Sequence, residues 1–283
     1  SFQRLLYLDR HDDILRLMDH VVRTYFPEIR AEDTAARALA FIGETGRRVA
    51  RTGARWMVAG FVHGVLNTDN INVTGESFDY GPWRFAPVLD PAFTAAYFDE
   101  TRLYAFGRQP DTLLWNMTRL AECLLHFAPQ DGLQKALEAF APVFRSEFAA
   151  AMRWRLGLAD AGEEAGQELV GAVWRFLEAS RMPYERFWFD WRGGMDSQKR
   201  AADSPHAALY AAAEFADVRA ALAAHAPAEA ALSHPYFSSG APCTMLIDEV
   251  EAIWAPIAAD DDWSALSSKL AAISALRQAY AGG

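Results

Sequence analysis

Cysteine is nearly missing: Cys123 and Cys243 are the only two in 283 residues, which excludes a disulfide framework and any thiolate-rich metal site. Lysine is confined to Lys135, Lys199 and Lys269. No lysine precedes position 135, and neither G-x-G-x-x-G nor G-x-x-x-x-G-K-[ST] occurs, so a glycine loop that cradles phosphates is not encoded. Positive charge is also short, with 27 basic against 37 acidic residues and a net charge of -10. That balance argues against nucleic acid as a partner, because backbone phosphates require clustered cations. No apolar run approaches the roughly 18 residues of a membrane span, and no charged-then-apolar start reads as a secretory leader. The histidines are scattered, without an i, i+4 pair or a neighbouring cysteine, so zinc is not indicated. There is no internal repeat and no low-complexity linker.

Apolar residues make up 52% of the chain, enough for one sizeable core or a core with an appendage. Arginine greatly outnumbers lysine and alanine is abundant, which points to a GC-rich bacterial gene and a cytoplasmic protein. Cys123 falls in the apolar run 120–127 and reads as a small buried hydrophobe.

Helical periodicity dominates. Ile14, Leu17, Met18, Val21, Val22 and Tyr25 follow one helix face that opens at Asp12-Asp13 and stops at Pro27. A longer pattern runs over 31–59 through Gly43, Gly46 and Gly53, where a break or bend is expected. Its Arg47, Arg51 and Arg55 recur every four residues; a solvated face paired with acidic residues is the plainer reading, contact with phosphate the other. Pro110-Asp111 starts a helix to about Phe127, and further helices are predicted over 131–158, 161–182 and 263–280. Phe140, Phe144, Phe148, Trp154, Trp174 and Phe176 are candidate core. The aromatic run 184–191 reads as core rather than a substrate groove, and 201–232 as an alanine-rich helical region packed on what precedes it. Residues 81–109 show little periodicity; Asp90, Asp99 and Glu100 there are carboxylates that could line a site.

One stretch reads as chemistry: residues 62–83, VHGVLNTDNINVTGESFDYGPW. Gly64, Gly75 and Gly81 punctuate it, and short β-prone runs flank Thr74-Gly75-Glu76. The expectation is a small hairpin that folds Asp79 back towards Asp69 and Asn70. Asn beside Asp, with a second Asp across a hairpin, suits a hard cation that takes oxygen ligands and keeps several waters. His63 is expected to position this loop by hydrogen-bonding backbone, in preference to acid/base catalysis.

Laid on the kinase pattern H-R-D-x-x-x-x-N followed by D-F-G, His63 and Asn70 match, and Asp79-Tyr80-Gly81 takes the last place. Val65 falls where the catalytic Asp belongs, and valine cannot accept a proton. The nearest carboxylate is Asp69. Together with Trp56, Gly60-Phe61, Tyr104-Ala105-Phe106, Gln109-Pro110, the run 114–121, Phe2-Gln3 and Tyr25-Phe26-Pro27, this combination resembles the selenoprotein O family. That family comprises pseudokinase-fold enzymes that transfer AMP from ATP to protein hydroxyls.

The resemblance implies a mainly α protein, a kinase-like C-lobe over 1–200 with a small β-hairpin at the catalytic and metal-binding loop 62–83, and a C-terminal helical extension over 201–283. It implies that a nucleotide-clamping N-lobe is absent from this chain, and that the isolated chain is inactive without it. It implies Asp69 as proton acceptor, Asp79 as nucleotide- and metal-binding, Asn70 as the second ligand to Mg2+ or Mn2+, ATP as co-substrate and proteins as substrates. The residues alone leave two other readings open: a phosphotransferase in which Asp69 works from a shifted position, and a non-catalytic helical module.

Overall fold

The computed structural model describes residues 1–228, 232 and 234–281. Helices account for most of them, and the chain divides into two compact units that interleave in sequence.

The first unit comprises Ser1–Trp56, His63–Trp83 and Thr94–Glu147. Its helix His11–Tyr25 buries Ile14, Met18, Val21 and Val22, the stripe expected from their spacing, and carries Asp12 and Asp13 in its first turn, where the helix dipole favours them. The long helix Thr34–Ala59 begins in this unit and runs through all three glycines without a break. The expected bend is absent because packing replaces propensity: a Cβ at Gly53 would come within 2.5 Å of Leu113 Cδ1, so the glycine lets the helix Gln109–Glu122 approach closely. Phe41, Ile42, Val49, Leu113, Met117 and Leu124 join the helix His11–Tyr25 in one core. Cys123 lies in that core, and burial pushes its thiol up to about 11, which leaves it inert at neutral pH.

Two arginines of the basic face of the long helix are paired, Arg47 and Arg51, and Arg55 is exposed. Arg47 bonds Glu44 at 2.8 Å, Arg51 bonds Glu147 at 2.8 Å, and Arg48 reaches Glu44 at 2.6 Å. Burial of a carboxylate between two guanidiniums is favourable only with such bonds, and Glu44 is held below its usual range, first by Arg47.

The second unit comprises Met57–Val62, Arg84–Phe93 and Phe148–Gly283. Two strands, Phe61–Val62 and Arg84–Phe85, pair antiparallel with Phe61 opposite Phe85 and Val62 opposite Arg84. This is the sheet of the described residues. It brackets the loop 63–83 in sequence, whereas the hairpin expected inside the loop is reduced to one bridge, Ile71 to Ser77. The aromatic helix Tyr184–Trp191 is buried along its whole length, as core. Tyr184 bonds Met57 O at 2.7 Å and its N–H bonds Pro87 O at 2.9 Å, which fixes the short segments on either side of the strands. Asp190 is fully buried between Arg186 at 2.9 Å and the Tyr210 hydroxyl at 2.8 Å.

Several helix boundaries differ from expectation. The segment 131–158 is two helices, Gln130–Glu138 and Phe140–Leu156. Pro142 explains the break, since it can sit in a first turn but not in a helix interior. Trp154 is 52% exposed rather than core. The alanine-rich stretch forms the short helices Gln198–Ala202, Ala207–Ala211 and Ala216–Ala223; residues 229–231 of it lie outside the described residues. A helix not foreseen, Ile247–Asp260, has no buried residue and contains Pro256, so no apolar stripe announces it. The last helix is Ser264–Ala281, anchored through buried Ala279 and Tyr280. No helix of the described residues is long and apolar enough to cross a membrane.

Candidate functional site

Residues 63–83 form an irregular loop within the first unit, held by side chains rather than by sheet. His63 is fully buried at its start. Its N–H is accepted by Gln109 Oε1 at 3.0 Å, and its Nε2 lies 3.0 Å from Phe78 O, so the ring donates across the loop and ties its two limbs. Burial pushes the imidazole below its ordinary value, against the opposing pull of the Phe78 carbonyl and the Asp79 charge. A buried neutral ring that donates to a carbonyl is a structural pin, in keeping with the positioning role expected for it.

Beyond His63 the chain turns at Thr68 and Asp69. Asn67 and Asn70 bond reciprocally: the Asn70 N–H donates to Asn67 O at 3.1 Å, and the Asn67 N–H donates to Asn70 Oδ1 at 3.1 Å. The Thr68 hydroxyl reaches Gln3 Oε1 at 2.6 Å, and the Tyr104 hydroxyl bonds Asn67 Oδ1. Asn116, buried on the helix Gln109–Glu122, donates from Nδ2 to Leu66 O at 3.2 Å and to Asn67 O at 3.3 Å.

The far limb returns through a tight turn. Asn72 N–H bonds Glu76 O at 2.8 Å, Gly75 N–H bonds Asn72 O at 2.9 Å, and Phe78 N–H bonds Asn70 O at 3.2 Å. Gly75 has φ +94°, and a Cβ there would come within 2.8 Å of Arg48 Cβ and 3.1 Å of the Arg48 carbonyl; only glycine seats the turn on the long helix, where Thr52 Oγ1 donates to Gly75 O at 2.7 Å. Asp79 then adopts φ 61°, a left-handed conformation that Asp tolerates better than most residues.

The result is that Asn70 Nδ2 lies 3.2 Å from Asp79 Oδ2. Asn70 is buried and Asp79 exposed, so the pair opens to solvent on the Asp79 side. Asp69 is exposed in the preceding turn, one residue from Asn70, and Val65 is half-buried. The amide orientation of Asn70 follows from its partners, an N–H donor on one side and a carboxylate on the other. Tyr104 stands close to this turn: its phenol is pushed up by burial first, then by the charges of Asp99 and Asp69.

Among the described residues no group of three or more His, Cys, Asp or Glu is placed to hold a metal. A carboxylate and a carboxamide are too few for a zinc site or an all-protein calcium cage. Asn70 meets Asp79 through its Nδ2, a donor, while its Oδ1 accepts the Asn67 N–H.

The other loop carboxylates are occupied differently. Asp99 accepts the N–H groups of Leu103 and Tyr104, both at 2.8 Å, and Asp90 pairs with Arg181 at 3.5 Å. The residues that hold the loop, Gln109, Asn116 and Tyr104, entered the sequence reading only through the family resemblance, with no role in the loop. A signal existed for two of them: Gln109 and Asn116 are polar, seven apart, and share the apolar face of a helix.

Comparison with known proteins adds a family. The family described as Protein adenylyltransferase SelO matches residues 1–274. Among curated relatives, the protein nucleotidyltransferase YdiU of Synechocystis sp. is 34% identical over 279 residues, covering 93% of this chain and 58% of the relative. That of Gloeobacter violaceus is 35% identical over 288 residues, covering 99% and 59%. That of Chromohalobacter salexigens is 39% identical over 185 residues, covering 65% and 37%. The chain therefore spans at most 59% of the length of these three relatives.

Proposed function

The chain belongs to the SelO family of protein adenylyltransferases, and on that premise we propose that its 63–83 loop is the catalytic and metal-binding loop of an enzyme that transfers AMP from ATP to Ser, Thr or Tyr hydroxyls of proteins. The observation that carries this reading is the apposition of Asn70 and Asp79 at 3.2 Å, with the exposed Asp69 in the adjoining turn. The surrounding helices are read as the catalytic lobe of a kinase-like fold, and the reaction as a cytoplasmic one, where ATP is at hand.

In this reading Asp79, together with Asn70 through the Oδ1 lone pair that the Asn67 N–H leaves free, would hold Mg2+ or Mn2+. The cation supplies charge neutralisation to the phosphates when bound. Asp69 takes the proton of the attacking hydroxyl as its oxygen bonds to the α-phosphorus and the bond to pyrophosphate breaks. Its exposure lets a hydroxyl on another protein reach it. His63 and the Asn67–Asn70 pair keep Asp69 and Asn70 in register with Asp79, so that little reorganisation is needed at the moment of transfer. Val65, at the position where a kinase keeps its Asp, supplies neither base nor ligand.

The test uses the protein at its natural length, with ATP labelled at either the α- or the γ-phosphate and a mass measurement on the acceptor protein. Label from the α position, with an added AMP mass, is the expected result. Label from the γ position alone would make the protein a phosphotransferase, and no label from either would make it a non-catalytic module.

A further inference from the structure

A buried asparagine outside the Asn70–Asp79 pair bonds the backbone at the entrance to the turn that carries Asp69 and Asn70. Asn116 is 7% exposed, in the middle of the helix Gln109–Glu122. Both acceptors of its amide nitrogen are backbone carbonyls of the loop, Leu66 O at 3.2 Å and Asn67 O at 3.3 Å. Its own Oδ1 is buried and meets no donor among the described residues. A buried acceptor left without a partner is destabilising. Leucine or methionine would fill the same space without it but would take away the donor to Leu66 O, so what the asparagine supplies is an amide N–H to the loop backbone.

What the amide does there is orient Asn67. From there a line of hydrogen bonds runs outward: the Asn67 N–H to Asn70 Oδ1 at 3.1 Å, then Asn70 Nδ2 to Asp79 Oδ2 at 3.2 Å. The Tyr104 hydroxyl bonds the Asn67 side chain, and Gln109, seven residues before Asn116 on the same helix face, accepts the His63 N–H at 3.0 Å. One rigid helix thus grips the loop at its start and at the entrance to its turn. Asn116 bonds both carbonyls at the entrance to the Asn67–Asn70 turn, sharing Asn67 O with the Asn70 N–H, and Asp69 lies inside that turn.

We propose that Asn116 is a positioning residue, whose amide fixes the Asn67–Asn70 turn and through it the placement of Asp69 and Asn70. The assignment rests on the reading of Asp69 as proton acceptor and Asn70 as metal ligand. It acts through the donor character of the amide rather than its shape, and that distinction is testable. Aspartate has the same shape, but as a carboxylate it faces two carbonyl oxygens and repels them; once protonated it regains a hydrogen to donate.

The experiment compares wild type, Asn116→Ala and Asn116→Asp by amide hydrogen exchange on the 283-residue chain, and by transfer kinetics on the natural-length protein. In both variants the Asn67 and Asn70 amides should exchange at least about tenfold faster than in wild type at neutral pH, while amides of the helix His11–Tyr25 keep their rates. Transfer should fall about tenfold or more in kcat, with the KM for ATP within about threefold. As the pH is lowered, the excess exchange of Asn116→Asp over wild type at the same pH should shrink. Exchange in Asn116→Asp equal to wild type at every pH would reduce the residue to a space filler and overturn the proposal. A uniform rise across the whole chain would do the same, by making the role one of general stability. Absence of transfer in the wild-type protein would sink the functional reading instead, and the exchange comparison would still decide whether Asn116 sets the turn.

Discussion

Asp69 and Asp79 are both exposed carboxylates on one loop, in different surroundings. Asp79 faces a buried carboxamide at 3.2 Å and has a backbone turned to φ 61° to do so. Asp69 is exposed in the turn that the Asn67–Asn70 bonds close. In the natural-length protein, Asp69→Ala should lower transfer by about 10²- to 10⁴-fold while nucleotide affinity changes little, the pattern of a lost general base. Asp79→Ala should lower both turnover and nucleotide affinity, and added Mg2+ or Mn2+ should recover part of the loss. Full transfer by Asp69→Ala would take that residue out of the mechanism.

The long helix Thr34–Ala59 shows how an element can override its own composition. Three glycines lower its intrinsic helicity, but tertiary contacts use them unequally. At Gly53 an added Cβ would collide with Leu113 at 2.5 Å and press on Phe144 at 3.4 Å, whereas at Gly43 nothing lies within 4 Å. Gly53→Val should then destabilise the protein by about 1–3 kcal/mol through overpacking. Gly43→Ala should stabilise it by about 0.5–1 kcal/mol through helix propensity alone. Thermal melts of the two variants check this pair of opposite signs, and equal shifts for both would mean that the close approach at Gly53 is not what holds that glycine there.

Each compact unit carries a buried histidine held below its ordinary pKa, His63 in the first and His225 in the second. His225 is 4% exposed, and neither ring nitrogen has a hydrogen-bond partner among the described residues; burial lowers its pKa first, then the nearby Arg153, against the opposing charge of Asp160. On unfolding the ring returns to its ordinary value near 6.5 and takes up a proton that the folded state refuses. The stability it contributes is thus complete above about pH 6.5 and is lost as the pH falls from there towards the lower folded value. The urea midpoint of wild type should drop between about pH 7.5 and about pH 5.5, and His225→Leu should drop less. Equal drops would place the acid sensitivity elsewhere.

Helix content, the fate of the aromatic run 184–191 as core, and the single loop where polar residues gather were all determined by local sequence, because apolar periodicity and turn residues act over a few positions. The same locality made Asn70 and Asp79 recognisable as a pair, since a short turn can join positions nine apart. What local sequence did not determine was how that turn is held. The hairpin inferred from β-prone residues is a single bridge, and the strand pairing lies outside the loop, at Phe61–Val62 and Arg84–Phe85. The loop takes its shape instead from Gln109, Asn116, Tyr104 and Gln3, which lie 37 to 65 residues away along the chain from the groups they bond. A buried polar side chain is satisfied by whatever backbone the fold brings to it, and that partner is written in the tertiary structure, not in any neighbouring residue.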